Sequence, residues 1–132
     1  MNYWLIKTEP STYSWEDLVK ETHTWWTGVR NFQARNTLQA MKAGDHVFVY
    51  HSMIEKTIKG IGVVASEAKP DSTAKEGDWS MVEISALKAL GRDISLEEIK
   101  KHPRLTNMVL VKNSRLSVQP VTKEEWEEIT SI

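Results

Sequence analysis

From Tyr3 to Thr8, aromatic and β-branched positions follow in quick succession and stop at Glu9-Pro10. This predicts a strand that ends where proline cannot extend a central ladder. Ser14, with Asp17 three residues on, opens a short helix whose apolar stripe is Trp15, Leu18 and Val19. The same capping pattern recurs at Ser95 with Glu98, for a helix through Leu96, Ile99 and Lys100 that ends before Pro103. It recurs again at Thr122 with Glu125, for a last helix holding Trp126 and Ile129. Between Trp25 and Met41 an aromatic-rich loop gives way to a helix: Asn31 is its N-cap, Ala34, Leu38 and Met41 share a face, and Gly44 follows as a stop. Asp45 to His51 alternates poorly but is β-rich, with Val47, Phe48, Val49 and Tyr50 in a row, as in a strand covered on both faces. Further strands are expected at Thr57 to Ala65, at Trp79 to Leu87 and, shorter, at Met108 to Val111. Gly60 and Gly62 inside the first of these suit a bulge or the close approach of another group. Pro70 to Asp78 reads as a polar loop.

No period repeats and no linker divides the chain, so residues 1–132 form one α+β domain. Five to six strands interrupted by short helices lack the regular strand-helix-strand alternation of a doubly wound sheet. They fit a small mixed β-barrel with short peripheral helices.

Composition narrows the chemistry. At 132 residues a core can form without staples, and with no cysteine there is no disulfide, thiol nucleophile, iron–sulfur centre or cysteine zinc site. The apolar run at Tyr3 to Ile6 is cut short by Lys7 and Glu9, unlike a signal peptide, and no run nears the roughly 20 residues that span a bilayer. A cytoplasmic, monomeric protein without a membrane partner is expected. The net charge of −1 hides an uneven distribution. Between residues 26 and 62, five basic residues (Arg30, Arg35, Lys42, Lys56, Lys59) face two acidic ones (Asp45, Glu55), while Glu97-Glu98 and the C-terminal helix carry the opposite sign.

Catalytic signals are weak. His51 beside Ser52 is the one tempting pair, but neighbours on a strand point to opposite faces, and no G-x-S-x-G elbow is present. The carboxylate pairs at Glu97-Glu98, Glu124-Glu125 and Glu127-Glu128 fall on helix surfaces beside caps. His23, His46, His51 and His102 never occur at the i, i+4 spacing of a helical zinc pair. Gly60-Ile61-Gly62 lacks the third glycine and the helix of a dinucleotide fingerprint. No catalytic residue, metal or cofactor is therefore assigned.

Six tryptophans are in excess, because usage predicts about two in a chain of this size. Trp4, Trp15 and Trp126 sit in strand or helix patterns that a core explains, and Trp25 reads as structural. Trp26 lies among Arg30, Asn31, Gln33, Arg35 and Asn36, an aromatic segment with planar polar groups that suit bases and phosphates. The plainer reading, a core indole beside a solvated helix, stands level with it on pattern alone.

Four stretches together resemble the EVE domain: Tyr3-Trp4-Leu5-Ile6-Lys7-Thr8-Glu9-Pro10, Trp26 with Gly28 to Asn36, Phe48-Val49-Tyr50-His51-Ser52, and Asn113-Ser114-Arg115-Leu116-Ser117-Val118-Gln119-Pro120. They fall in the family's order, and the resemblance runs from about Asn2 to Ile129. It implies a PUA-like fold related to YTH domains, and a non-catalytic module that reads a modified nucleobase in DNA or RNA. Trp26 and Thr27, in a stretch similar to the Trp-Ser-Thr turn of YTH domains, then supply a wall of the base pocket, and Trp79 a second. Lys7, Thr8, Glu9 and Asn31 meet the base edge, although capping explains Asn31 equally well. Tyr50, His51 and Ser52 line the cavity in part, since alternation forbids all three. Arg30, Arg35, Lys56 and Arg115 mark the phosphate path. Thr8 replaces a serine common in the family and keeps its hydroxyl. An enzyme acting on a nucleobase or small molecule in the same cavity, and a protein-interaction domain built on the tryptophan-rich face, are the competing expectations.

Overall fold

Two neighbouring strands set the architecture. β1 (Tyr3–Thr8) and β3 (His46–His51) pair in parallel, with Tyr3 opposite His46 and Thr8 opposite His51. Their side chains alternate between two separate cores. Trp4, Ile6, Val47 and Val49 enter one, while Leu5, Phe48 and Tyr50 enter the other, so both faces of the sheet are buried. The unbroken apolar run at residues 47–50 follows directly.

The computed structural model describes all 132 residues. Around the parallel pair, β4 (Thr57–Pro70) joins β3, β5 (Ser80–Ser95) joins β4, β2 (His23–Trp26) joins β5 and β6 (Val118–Val121) joins β1, all antiparallel. The result is one six-stranded mixed sheet in the order β2-β5-β4-β3-β1-β6, whose ends do not pair with each other. Helices α1 (Trp15–Glu21) and α2 (Phe32–Ala40) supply Trp15, Leu18, Ala34 and Leu38 to the first core. Helices α3 (Leu96–Lys101), α4 (Val109–Lys112) and α5 (Lys123–Thr130) supply Ile99, Leu110, Trp126 and Ile129 to the second. There Trp126 stacks on Phe48 with ring centroids 3.8 Å apart. The expectation of an α+β fold, a small mixed β-barrel of five to six strands with short peripheral helices, agrees with this six-stranded mixed sheet and its five short helices. No helix is long and apolar enough to cross a membrane.

Local expectations fared unevenly. Ser14 with Asp17 and Thr122 with Glu125 form full capping boxes. Ser95 accepts from the Glu98 amide, but the Glu98 carboxylate turns to Arg92 instead of closing a box. Gly60 does mark a close approach: an added Cβ would lie 2.4 Å from the Trp15 ring. Register shifts flank it at Ile58/Gly60 and Ile61/Gly62, so Ile58 and Ile61, three residues apart, reach the same core.

Two readings need correction, and one strand was missed. Met108 to Val111 is not a strand. Met108 caps the one-turn helix α4, where Lys112 and Asn113 return hydrogen bonds to the carbonyls of Met108 and Val109. Trp25 and Trp26 lie in strand β2 and not in a loop, because they pair antiparallel with the first part of β5, Trp25 with Glu83 and Trp26 with Val82. β6 was not anticipated. Pro120 inside it is tolerated because β6 is an edge strand.

Candidate nucleic-acid interface

The C-terminal ends of β1 and β3 are the centre of the candidate site, and alternation divides it between two faces. On the face of the first core, Thr8, Thr12, Tyr13, Thr24, Trp25, Trp26 and Thr27 line a cleft of about 330 Å³. Trp26 is 9% exposed, part of the core yet open to this cleft, and the Tyr13 ring meets it edge-on at 6.0 Å. Thr8 holds Tyr13 in place by donating its hydroxyl to the Tyr13 carbonyl at 2.5 Å. Burial first, and then the hydrogen bond that Tyr13 donates to Glu21, push the phenol up to about 12, so it stays neutral at pH 7. Trp25 is half-buried, with the Lys69 ammonium 5.2 Å from its ring. Two indoles and a phenol with hydroxyls among them are the elements of a base-stacking cleft.

Thr27 leads from the cleft into a turn organised by Asp71. One oxygen of Asp71 accepts from the Gly28 amide at 2.9 Å and from Arg30 Nη1 at 3.0 Å, and the other from the Thr73 amide and hydroxyl at 2.8 and 2.7 Å. Burial alone would raise this carboxyl, but the donors from Thr73, Gly28 and Arg30 outweigh it and hold it well below the usual carboxylate range. Gly28, at φ +82°, supplies the left-handed residue that the turn needs. Beyond the turn, Phe32 stacks on Trp79 with centroids 5.1 Å apart, and Arg30 and Arg35 lie 5.6 and 6.0 Å from the Trp79 ring. Arg35 also donates to the Asp78 carbonyl and the Asn36 side chain. Trp79 therefore belongs to an aromatic and cationic rim, and it does not line the Trp26 cleft.

The other expected site residues are placed as follows. Asn31 caps α2, accepting from the Ala34 amide at 2.9 Å. Glu9 is exposed and accepts from Ser11. His51 is buried with both ring nitrogens engaged: Nε2 accepts from the Trp15 amide at 2.8 Å, and Nδ1 donates to Glu55 at 2.9 Å. It orients the start of α1 and does not reach the Trp26 cleft. Lys7, Tyr50, Ser52 and Lys56 sit on the opposite face of the sheet, around a smaller cleft. Arg115 is exposed beside that cleft's Ser114. Tyr13, Thr12, Thr24 and Asp71 were not anticipated, and Trp25 lines the cleft it was expected only to support. Asp71 had a local signal, an Asx-type turn to Thr73 two residues on, but its partners Gly28 and Arg30 lie more than 40 residues away.

The chain resembles known proteins along its whole length. A family model described as EVE domain matches residues 2–132. Mouse Thymocyte nuclear protein 1 is 39% identical over 166 aligned positions, spanning 99% of this chain and 73% of the mouse protein. A crystal structure of an Agrobacterium tumefaciens protein superposes with a TM-score of 0.96 at 46% identity, covering 99% of this chain and 92% of that one. Human THYN1, solved in complex with DNA containing 5-methylcytosine, superposes with a TM-score of 0.92 at 36% identity, covering 99% of this chain and 96% of that one. The motifs along β1, after Trp26, at the end of β3 and leading into β6 all fall within the matched residues, and the chain is a member of the EVE domain family.

Proposed function

We propose that this protein is a non-catalytic module that reads a modified nucleobase in nucleic acid, taking the base into the cleft of Trp26. The observation that carries the reading is that cleft: two indoles and the neutral Tyr13 phenol enclose about 330 Å³ with threonine hydroxyls among them. A base extruded from its stack needs such aromatic surface and hydrogen-bonding groups for its edge. The human relative's complex with methylcytosine-containing DNA supports the same class of ligand here and favours DNA as the carrier. Trp26 and Trp25 stack on the base, Thr8 and Thr27 present hydroxyls, and the Arg30, Arg35, Phe32 and Trp79 rim guides the adjoining strand. A non-catalytic role agrees with His51, the strongest base candidate in the sequence, being buried and fully hydrogen-bonded. The animal relatives are nuclear proteins by name, which lends no support to a cytoplasmic location.

The test is a titration against single- and double-stranded oligonucleotides that differ only in one modified base. A preference for one modification is expected, and Trp26→Ala should weaken it by about tenfold or more, since one stacked aromatic contributes about 1 to 3 kcal/mol. Trp26 is also core, so Thr27→Val at the exposed mouth provides a variant that leaves packing intact. Equal binding of every oligonucleotide in the panel would refute the reading.

A further inference from the structure

Across the sheet from Trp26, Lys7, Tyr50, Ser52, Lys56 and Ser114, together with the apolar Met53, Leu96 and Leu110, line a second cleft of about 210 Å³. Tyr50 is its floor. It is 3% exposed, and burial alone pushes its phenol up to about 12, with no hydrogen bond inside the chain contributing. Lys7 Nζ lies 5.8 Å from that ring and donates to the Ser114 carbonyl at 2.7 Å, leaving two of its three donors unused. Burial also pushes the Lys7 ammonium below its ordinary value. A half-buried ammonium normally recovers its lost hydration from a carboxylate. Here no carboxylate lines the cleft, and neither Lys7 nor Lys56 joins any of the chain's ion pairs. Glu55, the acid beside Lys56 in sequence, pairs with His51 and Lys59, and Glu97, which shares a neighbouring cleft with Lys56, pairs with Lys101.

The loop that presents these groups is held in a set shape. Lys56 adopts φ +46°, a conformation uncommon for a residue with a side chain, and the Leu96 amide fixes it by donating to the Lys56 carbonyl at 2.8 Å. Ser52 is tied to β1 by its amide and its hydroxyl, which both donate to the Thr8 carbonyl, at 2.9 and 3.3 Å.

The geometry points to this cleft as a binding site for a phosphoryl oxyanion, held between Lys7 and Lys56 with the hydroxyls of Tyr50 and Ser114 beside it. The anion is either a phosphodiester of the bound strand or a free phosphorylated small molecule, and only the first source rests on the base-reading function. Thr8 and Lys7, adjacent on β1, then serve base and phosphate on opposite faces of the same strand end.

Amide chemical shifts of the whole chain, titrated first with inorganic phosphate and then with an unmodified single-stranded oligonucleotide, test this. Phosphate should shift Ser52, Met53, Lys56 and Ser114 saturably. Lys7→Met should abolish those shifts, and Lys7→Arg should keep them. If the strand supplies the anion, the oligonucleotide moves the same amides. Lys7→Met and Lys56→Met then each reduce the salt slope of binding by about 0.7, and neither changes the ratio of modified to unmodified affinity. A response to phosphate without one to the oligonucleotide assigns the cleft to a small phosphorylated ligand. Shifts scattered over surface lysines, or cleft shifts that survive in Lys7→Met, overturn the site. Retained phosphate shifts alongside a flat response to modified bases would remove the base-reading function and leave this site standing.

Discussion

Replacing Asp71 by alanine removes the group that joins the Trp26 turn to the loop before β5. Its side chain is 0% exposed and accepts four hydrogen bonds, two of them from Gly28 and Arg30 across more than 40 residues of sequence. Breaking a buried ion pair typically costs about 3 to 5 kcal/mol, most when the charge left behind stays buried. Here the survivor is Arg30, 39% exposed, which water can resolvate, so the lower end applies: about 3 kcal/mol. For a chain of this length that corresponds to a fall in Tm of about 12 °C, at about 4 °C per kcal/mol. Thermal unfolding followed by circular dichroism at pH 7 measures it. The pH dependence gives an internal check. The native carboxyl titrates below its ordinary value near 3.8, so its stabilisation is complete above that value and is lost as pH falls through the native one. The Tm gap between the wild-type chain and Asp71→Ala should therefore narrow as pH drops from 4 toward 2. A loss under about 4 °C at pH 7, or a gap that holds constant in acid, would show that the turn does not depend on this carboxylate.

Two glycines should respond differently to alanine. At Gly60 the new methyl meets the Trp15 ring, so Gly60→Ala should destabilise by about 1 to 3 kcal/mol through overpacking, read as a lower denaturant midpoint at unchanged m-value. At Gly28 no atom lies within 4 Å, and only the positive φ opposes a side chain; Gly28→Ala should cost about 1 kcal/mol and Gly28→Asn less, by the same measurement. His51→Ala strips the Trp15 amide of its acceptor and should cost about 1 to 3 kcal/mol, with faster amide exchange at Trp15 as its local signature. Unchanged exchange there would mean that another acceptor replaces the imidazole.

Much of the fold was legible because the relevant signals are local. Ser14, Asn31 and Thr122 cap their helices through bonds spanning three residues, and the apolar run in β3 states that both faces are covered. What escaped depends on distant partners. β2 is four residues long, and nothing in His-Thr-Trp-Trp says that Val82 to Ser85 will lie beside it. At Met108 to Val111 the branched residues favour a strand, but a single turn of helix places Leu110 in the second core and lets Asn113 return to the Val109 carbonyl. Packing outweighs propensity over so short a segment.

The same distinction explains the site. Motif by motif, the sequence placed Lys7, Thr8, Tyr50, His51 and Ser52 near one another, and all five do meet at the ends of β1 and β3. Alternation then separates what the motifs had grouped: Thr8 turns toward Trp26, Lys7 and Tyr50 turn away, and His51 is spent on α1. A near-neutral net charge conveys none of this, because what matters is which cations have been claimed. Arg30 and Arg35 are bound to Asp71 and Asp78, whereas Lys7 and Lys56 have no carboxylate partner. On the proposed reading, Lys7 and Lys56, which form no ion pair, are better placed to receive an incoming anion than Arg30 and Arg35, whose charges Asp71 and Asp78 already engage.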